Sequence, residues 1–149
     1  MDVLITGSTG MVGKSVLHEC IKDDRINKIY IINRSKSGIK NPKISELVIK
    51  DFLLVKNLKS KIKNCDACFH CMGITSFGHN KKYYYEVTYE MTKLITDLIY
   101  EINPSAVMTY VSGEGTNAKE NSKITWANVK GKAENYILDK GFKDSYMFR

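Results

Sequence analysis

The sequence predicts a doubly wound α/β fold in which about six mostly parallel strands lie in the order 3-2-1-4-5-6 with helices on both faces. Three observations carry that reading. Strand-like and helix-like stretches alternate along the whole chain, and most of the strands are apolar throughout, as strands buried on both faces are. A glycine-rich turn also joins the first strand directly to the first helix. Each parallel crossover needs a helix and is right-handed, which leaves few topologies. The 149 residues suit a single domain spanning 1–149, and 43% hydrophobic with 26% charged residues excludes a disordered tail or a fibrous repeat.

Asp2-Val-Leu-Ile-Thr6 is a short aliphatic strand that runs into Gly7-Ser-Thr-Gly-Met-Val-Gly13. From Gly10 to about Asp23, Met11, Val12, Val16, Leu17, Cys20 and Ile21 recur at helical spacing. Ile26 to Asn33 reads as the second strand, Lys36 to Pro42 as a polar loop, and Glu46 to Lys50 as a short third strand. A weak helix at 53–61, a fourth strand at 66–71 and an amphipathic helix from about Tyr83 to Ile102, ended by Pro104, follow. Ala106 to Ser112 is the fifth strand, 113–123 a polar loop, 124–140 a helix stopped by Gly141, and Ser145 to Arg149 the sixth strand.

The net charge of +7 is local. Residues 34–63 carry nine Lys and Arg against only Glu46 and Asp51, and the rest of the chain balances. That segment has no aromatic interleaving and no reading helix, which argues against nucleic acid as a partner. No apolar run reaches the roughly 18 residues of a membrane helix, and the N-terminus has no leader pattern. No membrane partner and a cytoplasmic location are therefore expected.

Cys65, Cys68 and Cys71 stand at C-x-x-C-x-x-C around His70. Strand alternation sends Cys68 and His70 to one face and Phe69 and Cys71 to the other, so these groups are expected to be core residues and to hold no metal. With no secretory signal, disulfides are not expected either.

The chemistry gathers at the predicted strand tips. Gly7 permits the sharp turn, Gly10 lets a pyrophosphate approach the backbone, and Gly13 lets the helix pack close on the strand. The amides of Ser8, Thr9, Met11 and Val12 and the positive end of the helix would hold the phosphates, so this unit predicts a dinucleotide site. At the second tip Asn33-Arg34-Ser35 stands where an acidic residue would accept from the adenosine ribose. Arginine offers a planar fork to a 2′-phosphate, which favours NADP(H) over NAD(H); a merely solvated Arg34 is the alternative. Asp51-Phe52 is placed to meet an adenine, or Asp51 caps the following helix. Cys71, Met72 and Gly73 after the fourth strand let a loop pass close to the ribose and pyrophosphate.

The ordered set Thr6-Gly-Ser-Thr-Gly-Met-Val-Gly13, Asn33-Arg34, Asp51, Cys71-Met-Gly-Ile-Thr75, Val111-Ser112 and Lys130-Gly-Lys-Ala-Glu134 resembles the atypical and extended short-chain dehydrogenases over the whole chain. Within them the chain is most similar to the NAD(P)-binding, NmrA-like and Tat-interacting-protein-like group, often labelled nucleoside-diphosphate-sugar epimerases. The resemblance implies a Rossmann fold, oxidoreductase or epimerase chemistry on a small molecule, and a homodimer through the helices after strands 4 and 5. It further implies that Ser112 orients substrate and that Lys130 holds the nicotinamide ribose and lowers the pKa of a tyrosine four residues before it. That position is Trp126. An indole N–H donates a hydrogen bond but does not titrate, so the proton carrier is missing. The family also continues past the sixth strand into a substrate-binding segment, expected to be absent after Arg149. The two readings are thus an NADP(H)-dependent oxidoreductase or epimerase-like enzyme and a non-catalytic NADP(H)-binding module, either a pseudoenzyme or the product of a truncated gene.

Overall fold

The computed structural model describes residues 1–149. Its elements are β1 (Asp2–Thr6), α1 (Met11–Lys22), β2 (Lys28–Asn33), β3 (Ile44–Val48), a 3-10 segment (Phe52–Lys61), β4 (Ala67–His70), α2 (Lys81–Tyr85), a π-turn (Glu86–Glu90), α3 (Met91–Ile102), β5 (Val107–Val111), α4 (Thr125–Asp139) and β6 (Asp144–Phe148). The six strands form one all-parallel sheet in the order β3-β2-β1-β4-β5-β6. The predicted fold class holds, and every predicted element is present.

Alternation along the strands sorts the core into two layers. Leu4, Tyr30, Ile32, Cys68, Met108 and Tyr110 face the 3-10 segment, α3 and α4, while Val3, Ile5, Ile29 and Ile31 face α1. Ile95, Leu98 and Ile99 seat α3 on the first layer and are buried. Truncating such a residue to alanine typically costs about 2–5 kcal/mol, because the gap left behind collapses only in part. On the edge strand β6 exposure alternates, with Met147 packed against the core while Tyr146 and Phe148 are exposed.

Several elements depart from the sequence reading, β2 among them, which begins at Lys28 and not Ile26. β3 starts at Ile44 rather than Glu46, because Ile44 pairs with Ile29; Lys50 and Asp51 belong to the turn that follows. The 53–61 helix is a 3-10 helix: Phe52, Val55 and Leu58 are buried at a spacing of three, which that geometry stacks on one face. The long helix begins at Lys81, capped by Asn80, whose side chain accepts from the Tyr83 amide at 2.8 Å. It also contains the π-turn, which the apolar spacing did not reveal. Finally, β6 begins at Asp144, paired with Val107.

Candidate functional site

The glycine turn has the geometry that its spacing suggested. Gly7 adopts φ +67°, and a Cβ there would lie 2.8 Å from the Cys71 carbonyl carbon and oxygen. A Cβ on Gly13 would overlap the Gly7 carbonyl oxygen, so both glycines are required by the fold itself. Gly10 differs: it has an ordinary extended backbone, and a Cβ there would meet only the Gly7 oxygen at 3.4 Å. The protein leaves that space open. Gly10 is the N-cap of α1 and offers no side chain, which leaves the first amides of the helix free to meet an anion. Met11 and Val12, at that helix start, are exposed.

A cleft of about 170 Å³ runs along the carboxyl ends of β1, β2 and β4. It brings together nine of the residues singled out from sequence: Gly7, Thr9, Gly10, Asn33, Arg34, Phe52, Cys71, Met72 and Gly73. The others lie near it in different roles. Ser8 is buried and its hydroxyl donates to Asn33 Oδ1 at 2.9 Å, so it ties the glycine turn to the β2 tip. Gly13 is packed under the turn, and Ser35 is exposed on the loop after β2. Asp51 does not line the cleft; its carboxylate accepts from the Leu53 amide at 2.9 Å and caps the 3-10 segment, as the alternative reading had it.

Sequence reasoning missed the opposite wall. Tyr83, Val87 and Met91 complete the cleft from α2, the π-turn and α3. Their spacing of four was a usable signal, obscured because the same helix shows many other apolar positions. It placed His70 in the core without naming what would satisfy its two ring nitrogens. The ring is buried, and Thr6 Oγ1 and Thr92 Oγ1 lie 2.7 and 2.9 Å from its two nitrogens, so both are engaged. Burial, aided by the nearby Lys130 cation, pushes its pKa down to about 3. The four cysteines are free thiols, and burial raises the pKa of each, to about 11 for Cys71 and about 12 for Cys65. Cys20, Cys65 and Cys68 are core residues, while Cys71 is half-buried and lines the cleft.

At the β5 tip the predicted pair is brought close. Ser112 Oγ lies 3.1 Å from Thr116 Oγ1, whose hydroxyl donates to the Gly113 carbonyl at 2.7 Å. Lys130 runs past Gly113, where a built Cβ would lie 3.7 Å from its Cδ and Cε, and its ammonium sits 5.5 Å from the centroid of the Tyr110 ring. Burial lowers the Lys130 pKa, and Glu134 one turn later opposes that shift. Tyr110 is buried against His70, and burial holds the pKa of its phenol well above the ordinary range, so it stays protonated. Trp126 packs on the 113–116 loop, with its ring 3.3 Å from a Cβ built on Gly115. Tyr136 points elsewhere and donates to Asp97 Oδ1 at 2.6 Å.

A parallel sheet in this order with a glycine turn at its switch point defines an NAD(P)-binding Rossmann fold of the epimerase and short-chain dehydrogenase type. The family model for the NAD dependent epimerase/dehydratase family matches residues 3–140, and the chain belongs to that family. It is similar to "Protein FMP52, mitochondrial" of Meyerozyma guilliermondii, at 27% identity over 157 aligned positions covering all of this chain and 63% of that protein. The chain thus spans less than two thirds of that relative. Among solved structures it is similar to the Bordetella bronchiseptica enzyme WbmH in complex with NAD+, with a TM-score of 0.79 and 15% identity over 98% of this chain and 55% of that one. A short-chain dehydrogenase from Burkholderia cenocepacia in complex with NADP gives 0.78 and 14%, over 97% and 69%. No helix of the chain is long and apolar enough to cross a membrane.

Proposed function

We propose that this chain binds NADP(H) in the cleft along β1, β2 and β4 and lacks an efficient proton-transfer step of its own. The observation that carries the reading is the meeting, in one cleft, of an uncapped helix start and Arg34 at the β2 tip. The residues fit such a group: a Cβ on Gly73 would meet nothing within 4 Å, and the open space at Gly10 serves no packing need. Similar folds hold NAD+ in one case and NADP in another, so the discrimination rests on this chain's own side chains. Arg34 would present its fork to a 2′-phosphate, and Phe52, Tyr83 and Met91 offer apolar surface to a base.

When bound, the nicotinamide supplies hydride chemistry. Around it Lys130 would donate to the ribose and Ser112 would orient a substrate carbonyl or hydroxyl. The indole of Trp126 carries no transferable proton. Trp126 therefore favours the non-catalytic module. The juxtaposition of Ser112 and Lys130 favours the second reading, a slow oxidoreductase or epimerase-like enzyme.

Titrating NADPH, NADP+, NADH and NAD+ into the purified chain, read by thermal shift and fluorescence, tests the binding. NADPH is expected to stabilise most, and no stabilisation by any of the four overturns the proposal. Hydride transfer in the unmodified chain that is lost in Lys130→Ala would support the enzyme reading.

A further inference from the structure

Two buried polar side chains and one carboxylate form a continuous relay under the β2 tip. Ser8 Oγ donates to Asn33 Oδ1 at 2.9 Å, Asn33 Nδ2 donates to Glu46 Oε1 at 3.0 Å, and the Ser37 amide donates to that same oxygen at 2.7 Å. Ser8 and Asn33 are 1% and 5% exposed, so their polar atoms are satisfied only by these partners. Glu46 reaches this point from β3, where it pairs opposite Ile31, and Ser37 Oγ accepts from the Ile39 amide at 3.3 Å to continue the bend. Between the two fixed positions, Asn33 and Ser37, stand only Arg34, Ser35 and Lys36, all exposed. The three residues form an arch whose feet are joined through a single carboxylate oxygen.

We propose that Glu46 is a positioning residue for cofactor choice: by joining the Asn33 side chain to the Ser37 backbone it holds the Arg34 arch ready to receive a 2′-phosphate. This inference rests on the NADP(H) reading above. Without the tie, binding would have to order three exposed residues first, and preorganisation of this kind acts on the ligand that uses the ordered segment. NADPH uses it through its 2′-phosphate, whereas NADH has no such group. The hydrogen bonds, rather than the charge, perform the task, because a glutamine at this position keeps an accepting oxygen.

The test measures Kd for NADPH and NADH with the full chain and with Glu46→Ala, Glu46→Gln and Arg34→Ala, together with amide exchange at Ser37 in the absence of any nucleotide. Glu46→Ala is expected to unprotect the Ser37 amide and weaken NADPH about tenfold, with NADH changed less than about twofold. Glu46→Gln is expected to restore both within about twofold. Equal weakening of both nucleotides by Glu46→Ala, no weakening of either, or failure of Glu46→Gln to rescue would overturn the proposal. A chain with no NADPH preference, unaltered by Arg34→Ala, would instead remove the reading on which it rests, and Ser37 exchange would still report whether the tie exists.

Discussion

Along the carboxyl edge of the sheet, the β1–β2 tips and the β4–β5 tips are built from different materials. At the first pair the glycine-turn backbone and Arg34 line the cleft, while the polar side chains of Ser8, Asn33 and Glu46 join loops: Ser8 to Asn33, and Asn33 with the Ser37 amide to Glu46. At the second pair side chains face one another, with His70 locked between two threonines, Tyr110 stacked on it, and Lys130 above. Phosphate recognition by helix amides needs little from side-chain identity, whereas proton transfer depends on one titrating group in one place. The two regions should therefore answer to different substitutions, the first to changes in backbone space and the second to changes in side-chain identity.

The largest expected effect breaks the first region. Gly13→Val would drive a branched side chain into the Gly7 carbonyl and is expected to cost about 3 kcal/mol or more in chemical denaturation, against little change for Gly10→Ala. Gly10→Ala should instead weaken NADPH by about tenfold, measured by fluorescence titration, since it fills space that only a ligand needs. If both variants behave alike, the distinction between scaffold glycine and ligand glycine is wrong.

Trp126→Tyr sharpens the second region. With Lys130 close by, a phenol there is expected to raise hydride transfer to a generic carbonyl about 100-fold or more over the natural chain, with nucleotide affinity unchanged. Arg34→Ala should weaken NADPH about 10- to 100-fold and leave NADH nearly as it was, the range expected for a lost charge-assisted pair.

The His70 pocket supplies a pH signature of the second region. Its folded pKa of about 3 lies below the ordinary value of 6.5, so the unfolded chain takes up the proton that the folded chain refuses. Stability from this residue is complete above pH 6.5 and falls by about 1.4 kcal/mol per unit as the pH drops toward 3. Between pH 6.5 and 5, urea denaturation should show the natural chain losing about 2 kcal/mol more than His70→Asn. The smallest effect is expected from Lys59→Ala, which removes an exposed pair with Glu101: less than about 0.5 kcal/mol and no change in nucleotide binding.

What could be read from sequence follows the same division. The strand order, the glycine turn and the contents of the β2 tip were legible because each depends on local pattern: alternation, turn geometry and residue type at a strand end. The cleft wall from Tyr83, Val87 and Met91 was not, since it depends on how a long helix lies across the sheet. Nor was the service of Glu46, whose partners Asn33 and Ser37 are thirteen and nine residues away in the chain. Asp51 shows the limit from the other side. Its two readings, base contact or cap, are both local, and the Leu53 amide decided for the cap.

The π-turn at Glu86–Glu90 has a consequence for chain length. A regular α-helix advances about 100° per residue, so side chains eight apart drift by about 80° around the axis. Tyr83 and Met91 are eight apart, yet both face the cleft. The wider turn houses one surplus residue and takes up the drift, which lets Tyr83 on α2 face the cleft while α3 keeps Ile95, Leu98 and Ile99 in the core. Deleting one residue between 86 and 90 would remove the surplus and restore a regular pitch, leaving the Tyr83 and Met91 positions seven apart and within about 20° of one another around the axis. A one-residue loss is thus accommodated inside the π-turn, whereas the same loss in the regular turns of α3 would swing one end of the helix by about 100° against the other.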